Sequence, residues 1–122
     1  MSARKVLVVD DEPIICRSLS FALRKDRYEV FEARDGEQAL EVIRKERPDL
    51  VFLDVMMPKM TGFDVAEQVR QDESLAGMKI ILLTAAGQEQ DRNRGESIAD
   101  EYLTKPFSPT NILALTRKLL GE

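Results

Sequence analysis

The feature that most limits how this chain can fold is its rhythm: short apolar runs alternate with longer amphipathic stretches from end to end. KVLVV (5–9), YEVFEA (28–33), LVFL (50–53), KIILL (79–83) and EYLT (101–104) read as five strands. Helical patterns fill the gaps. Pro13 stands at a helix-start position ahead of Ile15, Leu19, Ala22 and Leu23 at helical spacing. Ala39, Val42 and Ile43 mark a second helix, which ends before Pro48. Thr61 caps a third, with Asp64 as its capping-box acid and Phe63, Ala66 and Val69 on the buried face. The last helix begins near Pro109 and carries Ile112, Leu115 and Leu119 on one face. Only Gln88 to Ser97 (QEQDRNRGES) breaks the pattern, because it holds no apolar anchor. That segment reads either as a solvated surface helix or as an element whose position can be switched, and it is expected to be the least ordered part of the chain.

Strict alternation of strands and helices requires right-handed crossovers and a mostly parallel sheet with helices on both faces. Five strands suit an α/β, flavodoxin-like, doubly wound sheet of order 2-1-3-4-5. No repeat or linker interrupts the sequence, so one domain over residues 1–122 is expected. In such sheets ligands bind beyond the carboxyl ends of the strands, near the switch between strands 1 and 3.

Those ends carry the chemistry. Strand 1 runs into Asp10, Asp11 and Glu12, strand 3 into Asp54, strand 4 into Thr84, and strand 5 into Thr104 and Lys105. Because strands 1 and 3 are neighbours in this order, three aspartates converge on one spot. Carboxylates that close repel, so they either take up protons or bind a divalent cation. An all-oxygen donor set favours Mg2+ or Mn2+ over Zn2+. An acidic metal pocket with a Lys and a hydroxyl beside it suits phosphoryl transfer to a carboxylate.

Composition narrows the alternatives. There is no His, which removes Ser-His-Asp and Cys-His catalysis and His-ligated metals. Cys16 is the one cysteine, so no internal disulfide forms, and its place beside Ile14 and Ile15 reads as packing. Eighteen Lys and Arg against 22 Asp and Glu give a net charge of -4, which disfavours general binding of nucleic acid or anionic membrane by this domain. No apolar run exceeds four residues, too short to span a bilayer.

VVDDEP (8–13), LDVMMPKMTG (53–62), LLTA (82–85) and YLTKPFSP (102–109) together resemble the receiver domain of two-component response regulators, over essentially the whole chain. The resemblance implies that Asp54 is the phosphoacceptor. It implies that Asp11, Asp54 and the backbone carbonyl of Met56 ligate Mg2+ directly, with Asp10 holding the metal through water. Thr84 and Lys105 would contact the phosphoryl oxygens, and Tyr102 would be the aromatic switch coupled to Thr84. The Lys105–Pro106 bond is expected to be cis, and Met57, Pro58 and Gly62 match the loop after the acceptor. A sensor histidine kinase is the implied phosphodonor, docking near Arg17 and Ser18 on the first helix. An output partner would bind the face formed by residues 88–120, including Tyr102, Phe107 and Lys118. The implied setting is cytoplasmic, and the domain catalyses its own modification without being a conventional enzyme. Both a stand-alone receiver and a domain of a longer chain fit the sequence.

Two departures from the family pattern flank the unanchored segment: Thr84 and Lys105 are one residue closer than usual, and Ile98 stands where Gly is usual. Three rival functions are weighed against this reading. A haloacid dehalogenase-like phosphatase needs an acid two residues after its nucleophile, where this chain has Met56. A flavin carrier needs a hydroxyl- and Gly-rich loop after strand 1, where this chain has Asp10 and Asp11. A phosphate-independent interaction module is opposed by the intact Asp54, Lys105 and Thr84. The resemblance implies that the positions two residues after Asp54 and Thr84 lie nearest the path of an attacking water; here they are Met56 and Ala86, which cannot hold that water, so a long-lived phosphorylated state is expected.

Overall fold

The computed structural model describes residues 3–85 and 98–122. The expectations for 88–97 and for Ala86 fall outside them. Chain order runs β1 (Lys5–Val9), α1 (Pro13–Lys25), β2 (Glu29–Ala33), α2 (Gly36–Glu46), β3 (Leu50–Asp54), α3 (Gly62–Gln71), a 3-10 turn (Glu73–Leu75), β4 (Lys79–Thr84), β5 (Glu101–Thr104) and α4 (Pro109–Leu120). The five strands pair in parallel in the order β2-β1-β3-β4-β5. The flavodoxin-like α/β expectation is met.

Alternation along each strand divides the core in two, because successive side chains point to opposite faces of a sheet. Leu7, Val9, Val51, Leu53, Ile80 and Leu82 face one way and pack on α2 (Ala39, Leu40, Ile43) and α3 (Phe63, Ala66, Val69). Val6, Val8, Leu50, Phe52, Ile81 and Leu83 face the other way, onto Cys16, Leu19 and Leu23 of α1 and Ile112 and Leu120 of α4. Both faces are covered, so the central strands read as continuous apolar runs in the sequence.

Local signals place the helix ends. Thr61 and Asp64 form the expected reciprocal capping box at α3. The side chain of Asp35 caps α2 by accepting from Gln38 N–H, and that of Ser108 caps α4 by accepting from Asn111 N–H. Arg47 ends α2 in the left-handed region, directly before Pro48. Pro13 and Pro109 occupy the first turns of α1 and α4, where no intrahelical donor is needed. Among the described residues no helix is long and apolar enough to cross a membrane.

Candidate functional site

Four strand ends build the site. Parallel pairing sets Val9 of β1 beside Leu53 of β3, so the residues that follow each, Asp10 and Asp54, emerge side by side. Both are buried, at 0% and 5% exposure, which is rare for a carboxylate. On the far side, Asp54 pairs with Leu83 of β4 and Thr84 with Thr104 of β5. Lys105 N–H donates to Thr84 O at 2.7 Å, which seats the lysine at the same edge. The Lys105–Pro106 peptide is cis, in accord with the resemblance.

One ammonium serves three acids. Lys105 Nζ lies 3.0 Å from Asp10 Oδ2, 3.4 Å from Glu12 Oε1 and 3.5 Å from Asp54 Oδ2. Asp10 Oδ1 accepts the Glu12 N–H at 2.9 Å. Among the described residues no donor reaches Asp10 Oδ2 at a hydrogen-bonding angle, so the lysine meets it as an ion pair alone. Asp54 Oδ1 accepts the Met56 N–H at 3.2 Å. Burial, followed by the negative charge of Asp10, raises the Asp54 pKa to about 7, against the opposing pull of Lys105. Burial works to lower the Lys105 pKa, but Asp10, Asp54 and Glu12 outweigh it and the net shift is upward.

The cluster thus holds more buried negative charge than its lysine can neutralise. Asp10, Asp11 and Glu12 each offer a carboxylate oxygen within 4.8 Å of the others. Asp11 and Glu12 are exposed, so this edge opens to solvent. A buried carboxylate oxygen without a hydrogen bond, set among hard oxygen donors, fits a hard divalent cation.

The sequence-derived residues divide into those the fold brings together and those it leaves apart. Asp10, Asp54 and Lys105 are in contact, and Asp11 adjoins them. Thr84 is buried at the same edge, and the contact of its hydroxyl is with Thr104 Oγ1, at 3.3 Å. Met56 follows Asp54 with its side chain exposed. Tyr102 is half-buried against the α2/α3 core, on the strand that carries Thr104. Two participants were not assigned a role from sequence. Glu12 shares Lys105, a part that its place after Asp10 and Asp11 could have suggested. Cys16, assigned to packing alone, also directs its Sγ to Asp10 O at 3.3 Å, and burial pushes its thiol up to about 11. No local pattern announces that contact.

The profile of the response regulator receiver domain matches residues 6–117. The chain belongs to this family. It is 43% identical over 118 residues to the alkaline phosphatase synthesis transcriptional regulatory protein PhoP of Bacillus subtilis, covering 96% of this chain and 48% of that one. The receiver thus spans about half the length of the curated relatives it matches. A putative response regulator from Chloroflexus aurantiacus superposes with a TM-score of 0.92 at 33% identity, covering 99% of this receiver and 100% of that chain. The receiver domain of a sensor histidine kinase from Pseudomonas aeruginosa superposes at 0.89 with 26% identity, over 99% of this receiver and 100% of that one. That structure has a magnesium ion coordinated in its active site cleft.

Proposed function

We propose that this receiver takes a phosphoryl group from the phosphohistidine of a sensor histidine kinase onto Asp54, in a Mg2+-dependent reaction, and that the modification switches partner binding. The observation that carries the reading is the excess of buried negative charge around Asp54, facing a single lysine at the carboxyl edge of the sheet. Asp11, Asp54 and the Met56 carbonyl would hold the ion directly and Asp10 through water. When bound, it supplies positive charge that neutralises phosphoryl oxygens and keeps Asp54 ionised.

The side chains have separate tasks. An Asp54 oxygen attacks phosphorus as the nitrogen–phosphorus bond of the donor breaks, and the imidazole leaves with its electron pair and takes up a proton. Lys105, already 3.5 Å from Asp54 Oδ2, pairs with an equatorial oxygen. Thr84 exchanges its contact with Thr104 for another phosphoryl oxygen. That movement opens space for Tyr102, two residues before Thr104, to turn inward. The added charge of roughly -1.5 to -2 biases this pair of positions. The domain thus catalyses its own modification and does not turn over a small substrate.

Partner surfaces follow from exposure. Ile14 and Phe21 are exposed apolar side chains on α1, flanking Arg17 and Ser18. A groove between α1 and α4 is lined by Ser18, Phe21, Lys25, Pro109 and Leu113, and this is the face assigned to the kinase. The described part of the output face is a groove between β5 and α4 with Tyr102, Leu115 and Lys118 on its walls. The net charge of -4 speaks against DNA contact by this domain.

Intact-mass measurement with a small acyl phosphate donor tests the reading. One added phosphoryl group is expected, dependent on Mg2+ and lost at alkaline pH, and absent from Asp54→Ala. Uptake by Asp54→Ala under the same conditions would move the site elsewhere. No uptake by wild type from either the small donor or a phosphorylated kinase would leave the phosphate-independent module as the better account.

A further inference from the structure

Of the glycines in the described residues, Gly62 is the one pressed against the acceptor itself. It opens α3, and a Cβ built on it would collide with the carbonyl oxygen of Asp54 and lie 3.0 Å from the carbonyl carbon and 3.1 Å from Val55 Cα. All three are main-chain atoms, so no rotamer change relieves the contact. The two peptide groups that flank Val55 are held from opposite sides. Val55 N–H donates to Leu83 O of β4 at 3.0 Å, and Gly62 N–H donates to Val55 O at 3.0 Å. The capping box of Thr61 and Asp64 then fixes the turn from which Gly62 approaches. The remaining glycines differ. Among the described residues, Gly36 faces the side chain of Met60, and Gly77 and Gly121 face open space.

We infer that Gly62 is a positioning residue for phosphoryl transfer: its missing side chain lets the first turn of α3 clamp the Asp54–Val55 peptide against β4, and so sets the acceptor carboxylate and the Met56 amide. The inference rests on the functional reading above and adds a residue that touches neither phosphate nor metal. A methyl group at position 62 must displace either α3 or the end of β3. Pushing β3 aside moves the Asp54 carboxylate relative to Lys105, which is anchored independently through β5 and Thr84 O. Misplacement by a fraction of an ångström up to about 1 Å is enough to slow a positioned reaction severely.

The test compares Gly62→Ala with two controls in the full chain. Leu75→Ala removes a buried side chain from the 3-10 turn and lowers stability without touching the acceptor peptide. Gly77→Ala adds a methyl group in open space. At a temperature where each variant is folded by circular dichroism, the phosphorylation rate of Gly62→Ala is expected to fall on the order of 10- to 100-fold. Both controls should stay within about twofold of wild type, as expected for sites remote from the reacting groups. The Val55 amide and the Asp54 carboxyl carbon should shift in the NMR spectrum of Gly62→Ala alone. A merely structural role would lower the melting temperature and leave the per-molecule rate and both resonances like those of Leu75→Ala, and that result would overturn the inference. Should Gly62→Ala not fold, Thr61→Val decides. It removes the capping acceptor without a clash, and a rate lower by about threefold with a displaced Val55 amide is expected. Unchanged values there would equally overturn the inference. A wild type that takes up no phosphoryl group would sink the functional reading, while the resonances would still report on the clamp.

Discussion

Aspartates flank the strands at both ends of this sheet, and the two ends treat them in opposite ways. At the amino ends, Asp49 and Asp100 are satisfied. Asp49 Oδ2 accepts Lys5 N–H at 2.8 Å. Asp100 Oδ2 accepts Ile80 N–H at 2.7 Å and Arg70 Nη2 at 2.9 Å. Arg70 directs its other donors to Ile98 O and Met78 O, so α3, β4 and the entry to β5 are knotted around one carboxylate. At the carboxyl ends, Asp10 and Asp54 share one lysine with Glu12, and a buried oxygen is left without a hydrogen bond. The same residue type is structural where backbone donors and an arginine neutralise it. Where the fold leaves its charge uncompensated, it is the proposed phosphoacceptor.

Removing a carboxylate from each end breaks the comparison most directly. Asp100→Ala takes the acceptor from the Ile80 amide and from Arg70 Nη2, so it should destabilise by about 1 to 2 kcal/mol. Asp54→Asn relieves repulsion and leaves Lys105 paired with Asp10. Above pH 7 and without metal it should stabilise by about 2 kcal/mol. Denaturant unfolding at pH 8 in chelator measures both, and the same sign for the two variants would erase the distinction.

The pH dependence sharpens it. The Asp54 pKa is raised from 3.8 to about 7, so the native state binds more protons than the unfolded state between those values. Stability from this group therefore falls as pH rises through that window. Mg2+ favours the ionised cluster, so its stabilising effect should be larger at pH 8 than at pH 5. With the ion at ten times its dissociation constant the gain is about 1.4 kcal/mol. Thermal melts with and without Mg2+ at the two pH values check this. An equal shift in Asp11→Ala would show that the acidic edge is not the binding site.

The smallest effect concerns lifetime. Met56 is 60% exposed and follows the acceptor by two residues, and its thioether cannot orient an attacking water. Met56→Asn should speed decay of the phosphorylated state a few-fold, under about 1 kcal/mol of barrier. Decay is followed after donor removal at constant Mg2+, and an equal or slower rate would make this side chain a bystander.

Much of this was legible because strand and helix patterns are local. The apolar runs, the Thr61–Asp64 box and the proline-opened helices are properties of neighbouring residues, and the structure keeps them nearly where the sequence puts them. The strand over 28–33 loses only Tyr28, whose hydroxyl instead donates to Glu122 Oε1 at 2.6 Å. Alternation and crossover handedness gave the parallel sheet with helices on both faces, and the common flavodoxin-like order adopted for five strands brought Asp10, Asp54 and Lys105 together. Other contacts were not legible. Cys16 reaching Asp10 O, Arg70 tying Ile98 and Asp100 to α3, and Gly62 lying under the Asp54 carbonyl all join residues whose spacing along the chain says nothing about their distance.

The sequence by itself determined which residues could carry charge at the open edge, and it determined the sheet that gathers them, because hydrophobic periodicity and handedness act over short stretches. Tertiary structure alone decided how that charge is shared. Burial and contact distance are set by packing between distant segments, and they make Asp100 a satisfied knot and Asp54 an acid held near pH 7. A carboxylate's ionisation depends on what surrounds it in space, and the linear order of residues does not encode that directly.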